Sequence, residues 1–422
     1  MRGIKIAVGK KGIDTEKIVM LLILAVPFLN IWIFYGYRAK LFCVAALMVL
    51  LIGCRLFSVI KYAKPFLTGT ILWLYMTFSM LVKNFPTSAE YYIVLTCGFF
   101  IMSIQLKKQN IIFVIRCMTV IGVIYAVSMY AQWLFPSAFY SVLSKLVSEG
   151  PYMQAVNSPP LGDYTGLACE SNRAGLCIAP ATSYYFATFF FKENIRNKVL
   201  NIVWFLITYG ALVLTGRRAF ILFFPTILFG IAIYVLFRKK SVLSKLLGVF
   251  LIATVGLIGY YFLYDKVIFL LTNGSSSGLQ LSNREVYWEL ALRLFHQSPL
   301  IGNGMRSYDY NYKKMSGRDL IFAGAHNCYL QMLAEIGIIG LVLFLLFVLF
   351  MVFKTLSRIS AFINTRNSEG AIIAITSIMM QLMFVFLSLS ESAFIAPYSL
   401  ILYYIIILLP MAYYIKHDTE IE

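Results

Sequence analysis

The sequence predicts an all-α polytopic membrane protein with about 12 transmembrane helices and a large extracytoplasmic loop between spans nine and ten. Three observations predict it. Of 422 residues, 60% are hydrophobic and 13% are charged, and the mean hydropathy is +0.81. Soluble domains run at about 45–50% apolar and about 25% charged. The apolar residues also fall in blocks along the whole chain. Together these exclude a soluble enzyme, a disordered chain and a disulfide scaffold.

A spanning helix needs roughly 20 mostly apolar residues. Candidates fall at about 18–36, 41–59, 65–82, 88–105, 111–135, 173–191, 198–215, 218–237, 245–264, 328–354, 369–389 and 394–415. A Lys-rich start runs into the first of these without a small-residue cleavage site, so a retained span is expected rather than a signal peptide. Basic residues crowd one alternating set of segments: Lys5, Lys10, Lys11, Lys17, Arg55, Lys61, Lys64, Lys107, Lys108, Lys192, Arg196, Arg238, Lys239, Lys240, Lys354 and Lys416 belong to it. The short connections of the other set carry Arg38, Lys40, Lys83, Arg217 and Arg218. That bias predicts cytoplasmic N- and C-termini and makes two long connections, about 136–172 and 265–327, extracytoplasmic. The chain then divides into 1–264 (tail and nine spans), 265–327 (outer loop) and 328–422 (three spans and tail).

The net charge is +18. Because the cations sit between apolar blocks, they are read as orientation signals, or as contacts to an anionic lipid-linked substrate, and not as a nucleic-acid surface. Of the seven cysteines, Cys43, Cys54, Cys97, Cys117 and Cys177 lie inside apolar blocks, where Cys acts as a small hydrophobe. There is no CxxC or Cys/His spacing, so neither disulfides nor a metal nor another cofactor is expected. Charge within the spans is limited to isolated residues such as Arg116 and Glu335, whereas ion-coupled transporters carry several midplane charges.

Helices that begin at the outer surface point their free N–H groups outward. Polar residues gather at those starts: Glu170, Asn172 and Arg173; Thr215, Arg217 and Arg218; His326 and Asn327; Glu391 and Ser392. Such a ring suits a phosphate or diphosphate; the other reading is a set of interfacial anchors and caps. In the outer loop, Ser282-Asn283-Arg284-Glu285 fits a capping box. Tyr287, Leu290, Ala291, Leu294 and Phe295 follow at helical spacing, and Pro299 with Gly302 ends the segment. This predicts an amphipathic helix on the leaflet or over a cavity, with Arg284 in its first turn. Of the three histidines, His296 lies on that helix and His417 in the tail. His326, at the mouth of a span, is the best-placed general base on this side.

These segments resemble the O-antigen ligase/polymerase family, the Wzy-type polymerases and lipopolysaccharide ligases of bacterial envelopes. His326-Asn327-Cys328-Tyr329-Leu330 through Glu335-Ile336-Gly337 is similar to its H-N-x-x-L-x-x-x-x-E-x-G signature. Asn283-Arg284, Trp288 and Pro299-Leu300-Ile301-Gly302-Asn303-Gly304 resemble its R…W…P-L-x-G-x-G stretch, and Thr215-Gly216-Arg217-Arg218-Ala219 its T-G-S-R-[GA] turn. The likeness is concentrated in residues 200–350. It implies a GT-C-like glycosyltransferase of the bacterial inner membrane with its active site facing outward. Its chemistry is metal-independent transfer from an undecaprenyl-diphosphate-linked oligosaccharide. Donor and acceptor are both partners, with membrane lipids and, further, a chain-length regulator and a flippase.

Carried over by position, Arg218 and Arg284 hold the diphosphate and His326 activates the acceptor hydroxyl. Arg217 stands where the family more often has Ser; either it adds a phosphate contact, or it is the effective Arg of the pair. Arg173, Asn172, Asn327, Tyr308, Tyr310 and Tyr329 are further substrate-site candidates, the tyrosines as sugar-stacking rings or as interface aromatics. Glu335, nine residues from His326, falls on the opposite face of a continuous helix and is read as structural. Three activities follow: a polysaccharide polymerase, a ligase acting on a lipid A core or on protein, and a lipid-linked glycan flippase.

Overall fold

The computed structural model describes residues 67–83, 108–191, 195–238, 284–316 and 324–421, with single positions at 21, 24, 96, 98, 246, 249 and 250. The spans expected at 18–36, 41–59, 88–105 and 245–264 lie wholly or almost wholly outside them, as do Ser282 and Asn283 of the capping box. No strand occurs among the described residues.

Helices stand at the other expected spans. They are α1 (Leu67–Lys83), α2 (Lys108–Leu134), then α3 (Pro136–Leu146) and α4 (Glu149–Asn157) in the first long connection. The chain continues with α5 (Ser171–Phe191), α6 (Ile195–Leu214) and, after a π-helical turn at Ala219–Phe223, α7 (Phe224–Arg238). The second long connection contributes α8 (Arg284–Gln297) and α9 (Ser307–Ser316). Finally come α10 (Cys328–Asn364), α11 (Ser368–Leu387) and α12 (Pro397–Ile421). Among the described residues, six helices are long and apolar enough to cross a membrane: α2, α5, α6, α7 with its π turn, α10 and α11. The protein is a multi-pass helical bundle. α11 is its central helix, with a mostly buried span, whereas α6 is peripheral and largely exposed.

Side-chain contacts fix which helix ends lie together. Lys108, which opens α2, sits 3.8 Å from Glu369, in the first turn of α11, and 5.4 Å from the ring of Tyr413 in late α12. Tyr234 in late α7 reaches Ser360 in late α10 at 2.6 Å. These residues mark one end of the bundle. At the other, Gln132 in the last turn of α2 accepts from the Thr165 and Gly166 amides, and Tyr164 N–H donates to Leu214 O at 2.9 Å. The Cys328 amide at the start of α10 donates to Ser388 O past the end of α11 at 2.8 Å. Because α2 and α11 both start at the first end and both span, the 163–173, 214–218, 326–328 and 388–392 segments share the second.

Helix α10 differs from its expected 328–354 range. It runs 37 residues and is broken at Gly337, whose φ of 68° and ψ of −175° are not helical. An L-residue essentially never adopts that backbone geometry. The break would strand buried backbone groups, which are costly to leave unpaired, but the Pro299–Gly304 segment satisfies them. Asn303 N–H donates to Ala334 O at 3.0 Å and Gly304 N–H to Glu335 O at 2.8 Å. In return, Ile338 N–H donates to Pro299 O at 2.9 Å and Ile339 N–H to Leu300 O at 3.2 Å. From α1, Tyr75 donates its hydroxyl to Ile336 O at 2.7 Å. A Cβ on either Gly302 or Gly337 would fall under 3.0 Å from the other segment's backbone, so the two segments meet only because both residues are glycine.

Candidate active site

Helix α8 docks through Leu290, Ala291 and Leu294 onto Tyr308, Ala325 and Ala334. The stripe expected from its spacing therefore covers the head of α10. This places Arg284, its first residue, and Tyr287, one turn on, over the start of that helix.

His326 stands immediately before α10 with a φ of 50°, a left-handed conformation that few non-glycine residues adopt. Its neighbours fix it. Ala325 N–H donates to Gln331 Oε1 at 3.1 Å, and Asn327 caps α10 by accepting from the Tyr329 and Leu330 amides, each at 3.1 Å. The same Gln331 oxygen accepts from Ser392 Oγ at 3.4 Å, so one buried amide ties the residue before His326 to the residue after Glu391. Glu391 in turn joins two predicted groups. Its Oε2 lies 3.4 Å from His326 Nδ1 and its Oε1 lies 3.9 Å from Arg284 Nη2. The Tyr287 ring meets the imidazole edge-on at 5.5 Å. The Glu391 carboxylate is 19% exposed and the imidazole 44%. An anchored Nδ1 beside an open ring is the arrangement of an oriented base: the carboxylate favours a proton on Nδ1 and leaves Nε2 to accept another.

A second cluster lies at the same end. Arg217 donates from Nε to Ser171 Oγ at 2.6 Å and pairs through Nη2 with Asp163 Oδ2 at 3.1 Å. Burial pushes the Asp163 carboxyl above its ordinary range, and the Arg217 guanidinium pulls it back. Arg218 is exposed, and among the described residues it faces no carboxylate. Arg173 pairs with Glu170 at 3.3 Å. Glu170 also accepts from the Asn172 and Arg173 amides, so the N-terminus of α5, expected to be open to an anion, already holds an internal carboxylate. Asn172 Oδ1 is buried with no hydrogen-bond partner among the described residues.

The predicted residues therefore fall into two groups. His326 and Arg284 are brought together through Glu391; Arg217, Arg218, Arg173 and Asn172 gather around the mouths of α5 and the π turn. The π turn packs against α11, whose far end leads to Glu391. Asn327 spends its side-chain oxygen on the helix cap. Tyr308 is completely buried, donating its hydroxyl to Tyr287 O at 3.0 Å, and leaves no ring face open to a sugar. Tyr329 is partly buried and donates to Val385 O at 2.9 Å. Tyr310 is 51% exposed. Glu335 is fully buried and accepts from Gln331 Nε2 at 3.2 Å.

Sequence reasoning missed Glu391, Asp163 and Gln331 as site residues. Glu391 was visible as a polar residue at a span start, but nothing local paired it with a histidine 65 positions away. Asp163, in a Pro- and Gly-containing connection, gave no signal of its cationic partner.

Residues 202–345 match the model of the O-antigen ligase family. The match includes Arg217, Arg218, Arg284, His326 and the Gly302–Gly337 junction. It ends before Glu391 and begins after Asp163 and Ser171. Members of that family are glycosyl-transferring enzymes. No curated protein matches the chain.

Proposed function

We propose that this chain, carrying an O-antigen ligase family domain over residues 202–345, transfers a glycan from a lipid diphosphate to a sugar hydroxyl. In the reading adopted here the acceptor is a second lipid-linked repeat unit, which makes the protein a surface-polysaccharide polymerase of the bacterial inner membrane. The donor carrier is undecaprenyl diphosphate, and the reaction takes place on the outer face.

The observation that carries this reading is the Arg284–Glu391–His326 chain at the end of the bundle that also presents Arg218. The acceptor hydroxyl gives its proton to His326 Nε2 as its oxygen bonds to the anomeric carbon. The anomeric carbon–oxygen bond to the diphosphate breaks, and the lipid diphosphate leaves with the electron pair. A positioned imidazole contributes about 10²–10⁴-fold to such a step. The charge developing on the leaving group meets guanidinium forks, whose geometry fits paired phosphate oxygens. Arg284 would exchange its long 3.9 Å contact with Glu391 for the diphosphate, leaving the carboxylate to His326.

The matched family is described as O-antigen ligase, and a ligase would use the same donor site while accepting on a lipid A core or on protein. Purified protein given one defined lipid-diphosphate repeat unit, and no other acceptor, separates the readings. A ladder of products supports the polymerase. Transfer only after a lipid A core is added identifies a ligase. Neither product, with movement of the lipid-linked glycan across vesicles, overturns glycosyl transfer in favour of a flippase.

A further inference from the structure

Two adjacent arginines stand in the Thr215–Arg218 turn, and their surroundings differ. Arg217 is held on two sides, by Ser171 Oγ at 2.6 Å and Asp163 Oδ2 at 3.1 Å, while its own amide donates to Thr215 Oγ1 at 3.3 Å. The turn is pressed against the 162–163 backbone. Gly216 has a φ of 67°, and a Cβ there would lie under 3.0 Å from Asp163 Oδ1. Tyr164 N–H, one residue on, donates to Leu214 O. Arg218, at the start of the π turn, is exposed.

From this division we infer that Arg217 is a positioning residue. Through Asp163 and Ser171 it clamps the turn to the 158–171 segment, and it leaves Arg218 as the guanidinium of the pair that meets a diphosphate. The inference rests on the reading of Arg218 as a diphosphate ligand. A guanidinium already engaged by a carboxylate at 3.1 Å and a hydroxyl at 2.6 Å has its Nε and Nη2 edge committed within the protein, and that edge is the fork a phosphate would otherwise take. Asp163 beside it also repels an incoming anion. The residue pair thus serves the reaction through geometry and not through charge.

The test is inhibition of glycan transfer by inorganic pyrophosphate, measured with donor KM and turnover in membrane-reconstituted protein. The variants are Asp163→Asn, Arg217→Gln, their double, and Arg218→Gln, each checked for an unchanged melting temperature. A clamp predicts that Asp163→Asn weakens pyrophosphate inhibition by about tenfold, the change expected from losing one charge-assisted contact, and that Arg217→Gln does the same. The double variant, which keeps an amide pair in place, should be no worse than either single. Removing a negative charge would ordinarily strengthen anion binding, so weakening by Asp163→Asn is a result that bulk electrostatics does not give. Tighter or unchanged inhibition in Asp163→Asn, or additive losses in the double variant, would overturn the clamp and return Arg217 to the phosphate contacts. If Arg218→Gln leaves inhibition untouched, the diphosphate assignment itself falls, whatever the other variants show. Should a single variant melt early, the comparison of the double variant with Arg218→Gln decides: a loss of inhibition of no more than about tenfold, and smaller than that of Arg218→Gln, supports the clamp, and a loss as large as that of Arg218→Gln or larger overturns it.

Discussion

Replacing Gly337 with Ala tests how the 299–304 segment is held to α10. The residue sits at φ 68°, ψ −175°, a region that costs an L-residue about 1–3 kcal/mol. Its new methyl would also press on the Leu300 carbonyl and the Gly302 amide, both backbone atoms that cannot swing aside. If the 299–304 segment retreats, the hydrogen bonds from Asn303, Gly304, Ile338 and Ile339 open, each worth about 1 kcal/mol net. With all four bonds open the cost is about 5–7 kcal/mol, most of it local. Hydrogen exchange in lipid nanodiscs reads it directly. Protection of the 303–304 and 338–339 amides should fall by more than about a hundredfold, because each 1.4 kcal/mol is a factor of ten. Peptides from α11 should be unchanged. Because α8 hangs on this junction, turnover should fall with the protection. Unaltered exchange at those four amides would refute the account of the break.

Glu391→Gln should lower turnover by about 10²-fold or more, since the base loses its orienting carboxylate, while pyrophosphate inhibition strengthens because Arg284 is released. A fall in both would mean that Glu391 only supports the fold. Asn327→Ala should cost about 1 kcal/mol of stability at the start of α10 and reduce turnover. Asn327→Ser, a comparable cap, should keep turnover within about threefold; if Ser fails as badly as Ala, the amide contacts substrate. Arg284→Lys should be strongly impaired, because Lys keeps the charge and loses the bidentate fork; near-normal donor KM would assign Arg284 to Glu391 alone.

What was legible in the sequence follows from the range of each interaction. The long apolar helices between Lys108 and Arg238 and between Cys328 and Tyr413 are readable because a span needs only its own 20 or so apolar residues. The Arg284–Gln297 helix was readable from its local stripe, whose buried members Leu290, Ala291 and Leu294 lie within two turns of one another. The short helices at 136–146, 149–157 and 307–316 are not legible in the sequence, because each is shorter than a span and its polar content resembles loop. Gly337 was noted only as a motif letter. That it breaks a helix depends on Pro299–Gly304 arriving to satisfy the opened backbone, a condition that no local pattern encodes. The site divides the same way. His326 is nominated by residue type and its place at the mouth of a span, whereas the roles of Arg218 and Arg284 follow from the family resemblance. The Glu391 and Asp163 carboxylates, which decide what the imidazole and Arg217 are occupied with, lie far along the chain from their partners.

The central claim is that an imidazole oriented by Glu391 removes the proton from a sugar hydroxyl as a lipid diphosphate departs. The most direct measurement is release of undecaprenyl diphosphate from a lipid-linked repeat unit by reconstituted protein, wild type against His326→Ala. Release by the wild type, with a rate about 10²–10⁴-fold lower in the variant, is the predicted result. Release by His326→Ala at the wild-type rate would contradict it.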